Sequence, residues 1–219
     1  VLAAKLLLWV LCLIPAALLV WRAATDGLGA NPIEFITLRT GYWAITLLVL
    51  TLAVTPVRRI TGWNRVIQLR RPLGLFAFFY ATLHFLTYIA LDRFFEFGDI
   101  GSDILERPYI TVGFTAYLLL VPLAVTSTKS WIRRLGRRWT YLHWLIYVSA
   151  GLAVLHFYWK RASKADVAEP LMYLGFLLLM LLVRVFFLLR RRRRSARPAT
   201  GQAGVVAEGT SQFGGQPTP

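Results

Sequence analysis

Six apolar runs, at about residues 6–21, 41–55, 72–91, 108–126, 139–159 and 170–189, leave this chain few ways to fold. Most approach the roughly 20 residues that a helix needs to cross a bilayer core about 30 Å thick. None alternates apolar and polar residues as a strand would, and lipid offers no partner for an unpaired backbone group, so a bundle of spanning helices is expected. Pro72, Pro108 and Pro170 fall in the first turns of runs, where a missing N–H costs nothing, and Pro56 is expected to close one. Pro15 and Pro122 lie within runs and predict kinks. The first run lacks a small-residue cleavage motif followed by a polar start, and reads as a retained helix. The expected fold is an all-α, six-helix membrane bundle over residues 1–194, and residues 195–219, rich in Gly, Gln, Ala, Thr and Pro, read as a disordered tail. No internal repeat is strong enough to argue from.

Composition agrees with burial in lipid. Hydrophobic residues make up 57% of the 219, charged residues 16%, and the mean hydropathy is +0.58, well above that of a soluble domain. A net charge of +15 could suggest a nucleic-acid partner, but the basic residues stand between apolar runs instead of forming a solvated face. Lys and Arg concentrate after the second run (Arg58, Arg59, Arg65, Arg70, Arg71), after the fourth (Lys129, Arg133, Arg134, Arg137, Arg138) and at the chain's end. Divided between the two sides of a bundle, the charge is +17 on that side and −2 on the other. By the positive-inside rule these loops and both termini are cytoplasmic, and no nucleic acid is needed to explain the basic balance. The single cysteine, Cys12, excludes a disulfide framework and a cysteine-ligated metal cluster.

All three histidines fall in or at the edge of apolar runs: His84 in the third, His143 and His156 in the fifth. An ionisable group at membrane depth is expensive unless it faces the interior and meets a partner. At about 1.5 Å rise per residue, His84 and His156 lie roughly 20 and 25 Å from the cytoplasmic end of their helices, and His143 only about 6 Å. The first two are close enough in depth to share one metal. Facing histidines without carboxylates or cysteines suit the axial ligation of b-type haem better than a zinc or di-iron site. His143, at the other depth, suits a second haem, and two haems stacked through the bilayer would form an electron path. His143 and His156 are about 220° apart around an ideal helix, which calls for a distortion near Gly151 or haems on different sides. Arg70, Arg71 and Arg137 are candidates to contact haem propionates or a quinone, beside their role in topology. Gly74, Gly113 and Gly151 permit close packing of helices or a porphyrin. No Rossmann fingerprint, Walker A motif or hydrolase triad can be assembled, so electrons are expected from the quinone pool or a separate reductase.

The stretches RRPLGLFAFFYATLHFLTY (70–88), RPYITVGFTAYLLLVPLAVTS (107–127) and RRLGRRWTYLHWLIYVSAGLAVLHFYW (133–159) resemble the MsrQ (YedZ) family over roughly residues 5–190. More widely, the chain is similar to ferric reductase-like transmembrane domains, though it lacks their usual fourth haem histidine and their soluble flavin and nicotinamide domain. The resemblance implies that electrons pass from quinone through b-type haem, on His84, His143 and His156, to MsrP, a periplasmic molybdopterin enzyme that reduces methionine sulfoxide in oxidised proteins. It also implies a bacterial inner-membrane location and an association with FMN, for which no motif gives a place. The loop at 92–107, with five acids and two arginines, is the expected docking surface for such a partner. Two competing readings are a ferric or metal reductase acting directly on an external substrate, and a cofactor-free scaffold or transporter subunit.

Overall fold

A chain with six such runs satisfies its backbone by coiling each into a helix, and the computed structural model, which describes residues 2–162 and 165–195, has six helical spans long and apolar enough to cross a membrane. The first is α1 (Leu2–Ala24) and the second α2 (Pro32–Thr61). A short 3₁₀ segment (Asn64–Leu69) leads into α3 (Arg70–Thr87), which ends in a π-helical turn (Tyr88–Asp92). A short helix, α4 (Phe97–Glu106), precedes the fourth span, α5 (Pro108–Val125). At the opposite end lie α6 (Lys129–Leu135) and α7 (Arg137–Leu142), which lead into α8 (Leu145–Ala162) and α9 (Ala168–Ser195). Among the described residues the fold is all-α, a multi-pass membrane protein. Residues 196–219, most of the segment expected to be a disordered tail, lie outside the described residues.

Two local expectations are corrected. Pro56 does not close α2: the helix absorbs the one hydrogen bond that proline cannot make and runs on to Thr61. It stops at Gly62, whose φ of +71° is left-handed and whose N–H donates to the Arg58 carbonyl. The fifth span is also broken, but at His143 and Trp144, between α7 and α8, and not at Gly151. At its other end α2 starts on Asn31, whose side chain accepts from the Glu34 N–H, with Pro32 following in the first turn.

The bundle is built from two antiparallel pairs, α2 on α3 and α5 on α8, with α9 packed on α2 and α8. Its core includes Ile45, Leu48, Phe76, Tyr80, Leu120 and Val154, and close approach is made possible by small residues such as Ala77, Ser149 and Ala150. Ser149 Oγ donates to the Ala116 carbonyl at 2.9 Å, tying α8 to α5, and the Thr46 and Tyr173 hydroxyls, 2.6 Å apart, tie α2 to α9. Outward positions stay apolar, as in Leu7, Trp9, Val20, Leu182 and Phe186, because lipid is their solvent.

Candidate functional site

His84 stands near the end of α3 and His156 near the end of α8, so the two hairpins bring them to the same level from opposite sides of the bundle. Their ring centroids are 6.1 Å apart and the rings are 74° from coplanar. His84 Nδ1 lies 2.9 Å from the Thr37 carbonyl, and His156 Nδ1 lies 2.7 Å from the Tyr109 carbonyl. A carbonyl can only accept, so both Nδ1 atoms carry the proton and both Nε2 atoms keep a lone pair for a ligand.

A cavity of about 240 Å³ surrounds the pair, lined on its apolar side by Ile45, Leu48, Phe85, Phe114 and Leu120. At about 30 Å³ per water that is room for an organic group, well beyond what a bare ion needs. Towards α4 the cavity reaches Tyr88, Arg93, Arg107, Tyr109 and Lys160. Asp103 of α4 is buried there and organises the cations: it pairs with Arg93, with Arg107 Nε at 3.0 Å, and accepts from the Tyr88 hydroxyl at 2.8 Å. Arg93 Nε, also buried, has no hydrogen-bond partner among the described residues. Arg107 is raised above the ordinary guanidinium value, first by its hydrogen bond with Tyr109 and then by the charge of Asp103.

The remaining sequence candidates are not brought to this cavity. His143 caps α7 at the other end of the bundle, its Nδ1 3.1 Å from the Trp139 carbonyl and its ring stacked on Trp139 at 3.8 Å. Arg70 and Arg71 open α3 and Arg137 opens α7 at that same end, so none of the three lines the cavity. Of the glycines singled out, Gly113 lies against His156, Gly74 makes ordinary contact with Thr51, and Gly151 faces open space. Sequence reasoning missed Gly41, Arg93, Arg107 and Lys160. It also counted Asp103 among the outward-facing acids of the 92–107 loop, whereas its carboxylate is spent inside the protein.

Among the described residues no group of three or more His, Cys, Asp or Glu side chains could hold a metal ion. Residues 40–154, which include His84 and most of the spans that surround it, match the family of ferric reductase like transmembrane components. Relatives in Herminiimonas arsenicoxydans (51% identical over 170 residues, 77% of this chain and 78% of the relative) and Xanthomonas axonopodis pv. citri strain 306 (52% over 183 residues, 81% and 83%) narrow it further. A third, in Ralstonia nicotianae, is 51% identical over 172 residues, 78% of this chain and 79% of the relative. All three are named protein-methionine-sulfoxide reductase heme-binding subunit MsrQ. The chain belongs to the MsrQ family.

Proposed function

We propose that this chain holds b-type haem between His84 and His156 and relays electrons across the bacterial inner membrane to a periplasmic, MsrP-like molybdopterin enzyme that repairs oxidised methionines. The facing imidazole pair carries this reading. Nitrogen ligands bind first-row metals at about 2.0–2.1 Å, which sets two rings on opposite sides of one ion roughly 6 Å apart, as His84 and His156 are. A porphyrin would supply further donors between the two imidazoles, and the apolar walls suit its faces. Arg93, Arg107 and Lys160, at the α4 end of the cavity, are placed to neutralise its carboxylates, and the buried Arg93 Nε has a bond to offer. Haem held by His84 and His156 would supply a one-electron carrier whose potential depends on its ligands and on the surrounding dielectric.

The chain's own groups do the rest. Thr37 and Tyr109 fix the imidazole tautomers, Ile45, Phe85 and Phe114 exclude water, and the cations at the mouth hold charge. With the α4 end towards the periplasm, the site lies near the partner's side, and the end carrying His143, Arg70, Arg71 and Arg137 is the side of electron entry. We assign that entry to quinone or to a cytoplasmic flavin reductase, with His143 as a ligand only if a second haem is present.

The test is a reduced-minus-oxidised visible spectrum of the purified chain, with haem counted per chain, repeated on three variants. His84→Ala and His156→Ala are each expected to abolish the bis-imidazole signal, while His143→Ala preserves it. One haem per chain keeps His143 outside ligation, and two make it a ligand. Reduction of external ferric chelates at full rate without any partner protein would favour a metal reductase, and a folded, haem-supplied chain that stays colourless would sink the proposal.

A further inference from the structure

The two histidines are seated by one construction used twice. His84 bonds the Thr37 carbonyl and lies against Gly41, one helical turn further along α2. His156 bonds the Tyr109 carbonyl and lies against Gly113, one turn further along α5. In each half the glycine follows the carbonyl by four residues and the histidine follows it by 47; at all three positions the second half follows the first by 72. The triplet Leu-His-Phe recurs with the same offset, at 83–85 and 155–157. One span lies between α2 and α5, so the two cross the membrane in the same direction and the halves form a parallel repeat.

Steric arithmetic gives the glycines their role. An imidazole on one helix reaches a carbonyl of its neighbour only by lying flat on that neighbour's backbone, where a side chain one turn away would stand in its place. A Cβ built at Gly113 would lie 2.6 Å from His156 Nδ1, 2.8 Å from Cε1 and 3.0 Å from Cγ. At Gly41 the corresponding approaches to His84 are milder, 3.1 Å to Cε1 and Nδ1 and 3.7 Å to Cγ. Carbon atoms rest about 3.5–4.0 Å apart, so alanine at 113 must displace the whole ring, its root included, while alanine at 41 asks for a few tenths of an ångström. Gly151 and Gly175, also within helices, would meet nothing.

We propose that Gly41 and Gly113 are positioning residues for the two imidazoles: by lacking a side chain each admits its ring to the neighbouring carbonyl, and that hydrogen bond turns Nε2 towards the opposite histidine. The inference rests on the haem reading above and names the groups that aim its ligands. Loss of such an orienting contact typically weakens metal binding by about 10–100-fold.

Four full-length variants test it: Gly113→Ala, Gly41→Ala, and the controls Gly151→Ala and Gly175→Ala. The readouts are haem per chain, the low-spin signal of the ferric protein in electron paramagnetic resonance, and the midpoint potential. Gly113→Ala is expected to bind haem roughly 10–100-fold more weakly and to shift the remainder from low to high spin. Gly41→Ala should retain haem with a displaced potential, and both controls should match the wild type. Alanine is the better helix former, so helix propensity opposes none of the four changes. A Gly113→Ala protein with wild-type haem content, spin state and potential overturns the proposal. If that variant fails to fold, Gly41→Ala decides, and its being indistinguishable from Gly151→Ala overturns it equally. The haem reading fails separately, by a wild-type chain without haem or by low-spin haem surviving both His84→Ala and His156→Ala.

Discussion

Asp103 shows how much one side chain can organise. Its carboxylate takes the Tyr88 hydroxyl, the Arg93 guanidinium and Arg107 Nε, joining α4 to the end of α3 and to the start of α5. Asp103→Asn puts an NH₂ group among three donors and removes the counter-charge of two arginines, so it is expected to lower the thermal midpoint in detergent. Tyr88→Phe deletes one neutral donor, worth about 1 kcal/mol, and should cost less. Equal shifts would mean that the carboxylate's charge holds nothing. At this scale His84 and His156 stand out in the sequence because ionisable groups are scarce in apolar runs. What positions them does not: Thr37 and Tyr109 act through backbone carbonyls, which every residue has, and Gly41 acts through an absence. Asp103 reads as a surface acid until the fold brings Arg93 and Arg107 around it.

Helices are held by contacts of a similar kind. Along most of its length α1 is exposed to lipid, yet Tyr80 of α3, fully buried, anchors it at mid-height. The Ala16 N–H donates to the Tyr80 hydroxyl at 3.0 Å, and the hydroxyl donates to the Cys12 carbonyl at 2.6 Å. The side chain is thus inserted between a donor and acceptor four residues apart, beside Pro15, where the helix ladder is already weakened. Tyr80→Phe leaves that pair to close on itself and α1 without its polar anchor. Cys12, the only cysteine and buried against the core, reports the result: a membrane-permeant maleimide should label it faster in the variant. An unchanged rate would show that apolar packing alone holds α1. The spans themselves were legible, since run length and the positions of Pro72, Pro108 and Pro170 mark them. The course of α2 past Pro56 and the break at His143 were not, because each depends on whether neighbouring groups can absorb a local defect.

At the level of the whole molecule the question is which end faces which compartment, and the charges together with the repeat give an expectation that can be tested. The basic side carries +17 and the other −2, an asymmetry confined to short segments next to the spans, where it governs insertion. Because the halves that carry His84 and His156 cross in the same direction, the basic segments after α2 and after α5 must lie on one side and reinforce each other. The facing histidines, one level of the bundle away from those segments, then lie nearer the opposite face. A phosphatase reporter active only outside the cytoplasm should therefore be silent when fused after Gly62 or Gly136 and active when fused after Gly98. Replacing Arg133, Arg134, Arg137 and Arg138 by Gln removes four of the five basic residues after α5, and should leave the orientation intact because Arg58, Arg59, Arg65, Arg70 and Arg71 and the basic end of the chain still favour it; removing the set after α2 as well should raise the fraction inserted the other way. An active fusion at Gly62 in the unaltered chain would invert the topology, put the α4 mouth in the cytoplasm, and reverse the direction in which the proposed relay runs.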